Sequence, residues 1–243
     1  MEYKNALNDR QLLENALSAC KIDVNAEALD RLMQYHELLT EKNKVMNLTA
    51  ITDFEEAVWK HYADSLVLMR YMDLTAPLKV LDLGSGAGLP GIPLKICNPN
   101  LNMTLLDAVR KKVDFHHEVF NELGLKEINS IHMRSEDAAH KNEMREAFDL
   151  VTARAVANMS TLSEYCLPFV KTGGHFAAYK AETADEELSA AEKAIMILGG
   201  KIEQVERYTV GDNSRCLILI RKVKKTPSKY PRKAGTPSKT PLS

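Results

Sequence analysis

The chain has 243 residues, 45% hydrophobic and 27% charged, the balance of a folded globular protein rather than a fibrous or disordered one. Its 32 basic and 33 acidic residues leave a formal charge of -1, which taken whole argues against a strongly basic nucleic-acid binder. The longest apolar runs, such as 216–220, fall far short of the roughly 18 residues of a membrane span, and residues 1–11 lack the apolar segment of a secretory leader. Cys20, Cys97, Cys166 and Cys216 are widely spaced, so neither a metal knuckle nor a redox dithiol is expected. A reducing, cytoplasmic setting with no membrane and no metal follows.

Residues 1–75 are expected to form a helical N-terminal cap. A short helix fits 9–20, with Leu12, Leu13, Ala16 and Leu17 on one face. Asn25 can cap a second helix whose positions Leu29, Leu32, Met33, His36 and Leu39 follow the helical period, and Asp53 can cap a third. Past Pro77 the pattern changes. Short apolar runs at 78–83, 102–107, 128–133, 148–153, 174–180, 202–209 and 215–222 read as strands. Helical stretches around 89–97, 110–123, 160–167 and 184–198 separate most of them. Such alternation predicts an α/β fold with a mostly parallel, doubly wound sheet over 76–223. Only Gly211, Asp212, Asn213 and Ser214 part the last two strands, which demands an antiparallel hairpin.

Eight basic residues and no acidic one lie in 221–243, so the body before them carries about -9 and the end about +8 by the same formal count. Four of nine prolines also fall there. The tail 224–243 therefore reads as an extended arm that buries no core, either simply solvated or serving as a phosphate-binding arm.

The run Val80-Leu81-Asp82-Leu83-Gly84-Ser85-Gly86-Ala87-Gly88-Leu89-Pro90-Gly91 sets a glycine-rich turn between a strand and a helix. Glycines allow positive φ and close backbone approach to a ligand, and the turn lies at the carboxyl edge of the sheet, the usual crevice of doubly wound folds. No Gly-Lys-Ser/Thr ending is present, which excludes a Walker-type phosphate cradle. Asp107 ends the next strand, where a carboxylate can accept two ribose hydroxyls. Dinucleotides and S-adenosyl-L-methionine (SAM) remain. Asp82 beside the glycines would repel a pyrophosphate and complement the cationic methionyl end of SAM. The terminal hairpin distinguishes class I SAM-dependent methyltransferases from dinucleotide-binding Rossmann domains. SAM is the expected cofactor, with S-adenosyl-L-homocysteine as product.

The stretch Val80 to Leu94, Leu105-Leu106-Asp107 with Arg110-Lys111-Lys112, Arg154-Ala155-Val156-Ala157 and Asn47-Leu48-Thr49 resemble the small-subunit rRNA methyltransferase G family, also called glucose-inhibited division protein B. The resemblance runs through nearly the whole chain. It implies methyl transfer from SAM to N7 of one guanine in 16S rRNA; the expected partner is 16S rRNA, free or in the small ribosomal subunit, and a monomer is expected. It places Gly84, Gly86 and Leu89 in the cofactor pocket, Asp107 at the ribose, Ser135 and Glu136 at the adenine, and Arg154 at the mouth between cofactor and RNA. Ser135 departs from the Ala or Val more usual in the family.

Guanine N7 carries a free lone pair, so the reaction needs alignment and no general base. The sequence agrees by omission. After the fourth strand it reads Val151-Thr152-Ala153-Arg154-Ala155, where an amino-group methylase would carry Asn/Asp-Pro-Pro-aromatic, and there is no Pro-Cys dipeptide. His61 and Asp64 share a helix face and suit either the substrate entrance or an interhelix hydrogen bond. Lys180 and Arg110 to Lys112 suit RNA phosphate or plain solvent. His116-His117 reads as a solvated face. The competing functions are a SAM-dependent methylase of a small molecule or protein, and a non-catalytic SAM-binding regulator.

Overall fold

A computed structural model describes residues 2–154, 157–181 and 184–242, with side chains for all of these but 2–7 and 184–185. The helical N-terminal part comprises α1 (Glu2–Ala19), α2 (Ala26–Met46), α3 (Phe54–Ala57) and α4 (Asp64–Leu66). A π-helical segment, Val58–Ala63, joins α3 to α4, and a 3-10 turn at Val67–Arg70 ends the run. Asn25 caps α2 by accepting the Ala28 N–H, and Asp53 caps α3 by accepting that of Glu56. Each cap satisfies a backbone donor that the first helical turn leaves open, a contribution of about 1 kcal/mol. The first helix extends further toward the N-terminus than the expected 9–20.

One sheet follows, built from β1 (Lys79–Leu83), β2 (Asn102–Asp107), β3 (Ile128–His132), β4 (Phe148–Arg154), β5 (Val170–Ala181), β6 (Gly200–Val210) and β7 (Asn213–Lys222). Its order is β3-β2-β1-β4-β5-β7-β6. β1 to β5 pair in parallel, while β7 lies antiparallel between β5 and β6. All seven expected strands form, and the α/β, doubly wound class with a terminal hairpin is the observed one. The hairpin turn is tighter than expected, with only Gly211 and Asp212 between the strands.

The crossovers carry α5 (Gly91–Cys97), α6 (Arg110–Glu122), α7 (Ser135–Ala138), α8 (Met159–Cys166) and α9 (Ala184–Ile197). Side-chain alternation along the strands divides the core in two. Val80, Leu217 and Leu219 face α5, α6 and the N-terminal helices. Leu81, Leu83, Ile218 and Ile220 face α8 and α9. The N-terminal helices therefore share one continuous apolar core with the sheet. Because the order reverses at β1, the carboxyl ends of β1, β2 and β4 open a crevice there.

The tail departs from its expected extended, solvated state. It folds back along the α8 and α9 side and ends in a short helix, α10 (Thr236–Lys239). Arg145 donates to the carbonyls of Thr226, Pro227 and Tyr230. Arg232 makes a bidentate pair with Glu164, which is fully buried. Thr226, Tyr230, Pro231 and Pro237 face inward, and Lys224, Lys225, Lys229, Lys233 and Lys239 face solvent. Single inward side chains separated by lysines have no helical or strand period, so sequence periodicity does not reveal them. What anchors them is hydrogen bonding to distant residues.

Candidate functional site

Two cavities open at the carboxyl edge of the sheet, on either side of β1. The first, of about 200 Å3, is lined by Gly84 after β1, Asp107 at the end of β2, and Ser135 and Glu136 after β3. Four of the expected site residues thus meet in one place. Asp107 is held at two points: one carboxylate oxygen accepts the Gly86 N–H at 2.9 Å and the other the Val109 N–H at 2.9 Å. Lys112 lies 3.8 Å from it. Each carboxylate oxygen keeps a further lone pair for a ligand hydroxyl.

The glycine loop over this cavity has φ of +62° at Gly86, a left-handed value that a side chain would strain. His116 braces the loop, contrary to its expected solvated position: it is fully buried, 2.9 Å from the Gly86 carbonyl and 2.8 Å from Ser130 Oγ. A carbonyl can only accept, so Nε2 carries the proton and Nδ1 accepts from the serine. Burial pulls the His116 pKa down from 6.5 to about 4, which keeps the ring neutral. From the N-terminal helices, Tyr35 donates to the Ala87 carbonyl at 2.8 Å. Sequence reading missed both. The three- and four-residue spacing of Val113, His116 and Phe120 on α6 was the available signal for His116.

Three further expected residues lie outside this cavity's lining. Gly86 acts through its bond to Asp107, and Leu89 packs into the core with the N-terminal helices. Asp82 was expected at the methionyl end, directly or through water, but it is completely buried. Thr152 Oγ1 donates to one of its oxygens and the Gly91 N–H to the other. Gly91 permits this approach, since a Cβ there would stand 2.8 Å from the carboxylate. The two bonds tie Asp82 to β4 and to the start of α5. Burial pushes its carboxyl up from 3.8 to about 7.

Arg154 lines the second cavity, of about 490 Å3, together with Lys60, His61, Asp64, Lys180 and Arg215. Its Nη1 donates to the Lys60 carbonyl at 2.8 Å and to Asp64 Oδ2 at 3.0 Å. The π-helical turn makes the first bond possible. The Asp64 N–H bonds the carbonyls of Trp59 and His61 instead of the Lys60 carbonyl, which an α-helix would have used. Tyr208 donates to the other Asp64 oxygen at 2.9 Å. Asp64 therefore positions Arg154 and is itself fixed by the hairpin. Lys180 donates to the Ala157 carbonyl and pairs with Glu187 at 2.7 Å. His61 bonds Thr49 Oγ1 at 2.9 Å, and burial lowers its pKa from 6.5 to about 4. Ala155 and Val156, in the segment after Arg154, lie outside the described residues. Arg110 and Lys111 are exposed at the start of α6.

A ligand with polar groups fits the first cavity chemically. Ser85 Oγ, buried in the glycine loop, has no hydrogen-bond partner among the described residues, and buried hydroxyls are normally bonded. The cavity and the loop over it present a fixed carboxylate, a positive-φ backbone turn and the Ser135-Glu136 pair. This set suits a ribose flanked by a cationic amino-acid end and a base. Among the described residues, no group of three or more His, Cys, Asp or Glu could hold a metal ion. No helix there is long and apolar enough to cross a membrane.

Comparison with known proteins agrees in fold and sequence. A SAM-dependent methyltransferase from Aquifex aeolicus superposes with a TM-score of 0.52 at 19% identity, over 68% of this chain and 92% of that one, which supports the fold. The ribosomal RNA small subunit methyltransferase G of Lachnoclostridium phytofermentans is 45% identical over 238 residues, 97% of this chain and 98% of that protein. Its counterpart from Geobacillus sp. strain WCH70 is 47% identical over 223 residues, 91% of this chain and 94% of that protein. The family model described as rRNA small subunit methyltransferase G matches residues 28–217, and the chain belongs to that family.

Proposed function

We propose that the chain transfers a methyl group from SAM to N7 of one guanosine in 16S rRNA, acting in the cytoplasm as a monomer on the small ribosomal subunit. Family membership supports the cofactor and the RNA substrate. Bound SAM supplies an electrophilic methyl group on a sulfonium centre. Gly84 and the glycine loop would hold its amino-acid end, with Asp82 and Gly86 supporting the loop and Leu89 packing beneath it. Asp107 would accept the ribose hydroxyls, and Ser135 with Glu136 would bound the adenine.

The observation that favours N7 is the state of the groups around Arg154. Both Asp64 oxygens already accept hydrogen bonds, from Arg154 and Tyr208, so this carboxylate is engaged in positioning rather than in taking a proton. N7 has no proton to remove. Arg154 Nη1 makes both bonds, which leaves Nε and Nη2 as donors among the described residues. They suit guanine O6, the acceptor next to N7, and so would orient the base with N7 open to the methyl carbon. Four basic side chains against two acidic ones line the cavity and favour a polyanion.

The test is mass spectrometry of 16S rRNA from a strain lacking the gene. One missing 7-methylguanosine is expected, restored by the wild-type chain and not by Arg154→Ala. A missing methyl on an exocyclic amine or a ribose would overturn the N7 reading.

A further inference from the structure

The cavity assigned to SAM has a wall that neither its strands nor its loops supply. Gly235 and Ser238, from the tail, line it together with Gly84 and Asp107 and with Tyr165 of α8. The Gly235 N–H donates to Glu136 Oε1 at 2.9 Å, while Ser135 Oγ donates to Glu136 Oε2 at 3.1 Å. Glu136 is buried, and a buried carboxylate needs such donors to hold one orientation. Gly235 has φ of +81°, a conformation natural to glycine. The tail is held there at several points: Arg232 on buried Glu164, the Thr161 hydroxyl on the Pro237 carbonyl, and His140 on the Pro231 carbonyl.

We propose that residues 235–238 are a cofactor-binding element: they close the adenine end of the SAM cavity, and the Gly235 N–H sets the Glu136 carboxylate that faces the base. This rests on the assignment of the cavity to SAM. Direction along the sheet gives the end concerned. The ribose belongs at Asp107 after β2, so what lies past it, at Ser135 and Glu136 after β3, meets the base. The tail thus has two faces. Gly235 and Ser238 line the cofactor site, and its lysines face solvent. Cofactor affinity then depends on a segment whose composition alone suggests an RNA arm.

Two full-length variants test this. Gly235→Pro removes the N–H and cannot adopt the positive φ. Ser238→Trp keeps the backbone and places a bulky ring at the cavity mouth; the exposed position lets it fold normally. Each is titrated calorimetrically with SAM and with S-adenosyl-L-homocysteine, and the thermal midpoint of the ligand-free chain checks folding. The expected result is a dissociation constant roughly tenfold higher or more, the scale of losing a hydrogen bond to a charged group. KM for SAM should rise with it, while kcat at saturating SAM and KM for the RNA stay near wild type. Wild-type cofactor affinity in a folded Ser238→Trp variant would overturn the proposal, as would a raised RNA KM with unchanged SAM binding. Failure of the wild-type chain to bind SAM would instead remove the cofactor assignment itself, a result distinct from either.

Discussion

The backbone at Gly86 and Ala87 is fixed by side chains from three parts of the fold. Asp107 of β2 takes the Gly86 N–H, His116 of α6 donates to the Gly86 carbonyl, and Tyr35 of α2 donates to the Ala87 carbonyl. A loop that must meet a ligand through its backbone gains affinity when its ordering is complete before binding. His116→Leu removes one of these donors and leaves a buried carbonyl unpaired, at a cost of about 1–3 kcal/mol. The KM for SAM is expected to rise with little change in kcat, and His116→Gln, which keeps a donor, to restore much of it. Steady-state kinetics with SAM as the varied substrate checks both. Asp107→Ala should lose cofactor binding outright in calorimetry, since among the described residues Glu136 is the one other carboxylate that lines that cavity. The glycines and Asp107 were legible because their spacing after a strand has a backbone reason. The enclosure of Asp82 was not legible, because sequence gives its position on the strand but not the Thr152 and Gly91 partners that surround it.

Among the elements, the strands and crossover helices were readable from hydrophobic period and turn residues, and the tail was not. Its basic, proline-rich composition implies extension, but the burial of Glu164, Tyr230 and Lys222 depends on partners far away in sequence. Arg232 is the measurable case. Replacing it by Ala leaves the Glu164 carboxylate in the interior without its guanidinium, held only by the backbone N–H of residue 232, with an expected loss of about 3 kcal/mol in urea unfolding. Glu164→Gln with Arg232→Met, which removes both charges, should lose far less. A similar cost for the single and double changes would show that the pair adds nothing to holding the tail.

Over the whole molecule, two buried histidines and one buried carboxyl contribute to how stability responds to pH. His61 and His116 stay neutral in the fold, their pKa values lowered from 6.5 to about 4, so the unfolded chain binds more protons between those values. Stability is therefore lost as pH falls from about 6.5 toward about 4. Asp82 acts the other way. Its folded pKa is raised from 3.8 to about 7, so the folded chain holds a proton that the unfolded chain has released, and this opposes stability as pH rises through the same range. Two histidines outweigh one carboxyl with a shift of similar size, so acid is expected to destabilise the chain. Asp82→Asn should steepen that acid limb and His116→Gln should flatten it, read from urea midpoints at a series of pH values. An Asp82→Asn slope equal to wild type would mean that Asp82 keeps its ordinary pKa. At the same scale, the near-zero net charge hides an acidic body and a basic tail, joined in one fold.

The π-helical turn at Val58–Ala63 has a consequence for comparing relatives. A π turn amounts to one residue more than the α-helix around it needs. Here that residue frees the Lys60 carbonyl for Arg154 and sets the direction of Asp64. The placement of the arginine is thus encoded as a length, not as an amino-acid type. Two aligned chains that share every side chain at this site still differ in it when a one-residue gap falls between 58 and 63. Deleting a single codon there would do what no substitution in the segment does: it would turn Asp64 and all that follows by about 100° around the helix axis, given 3.6 residues per turn.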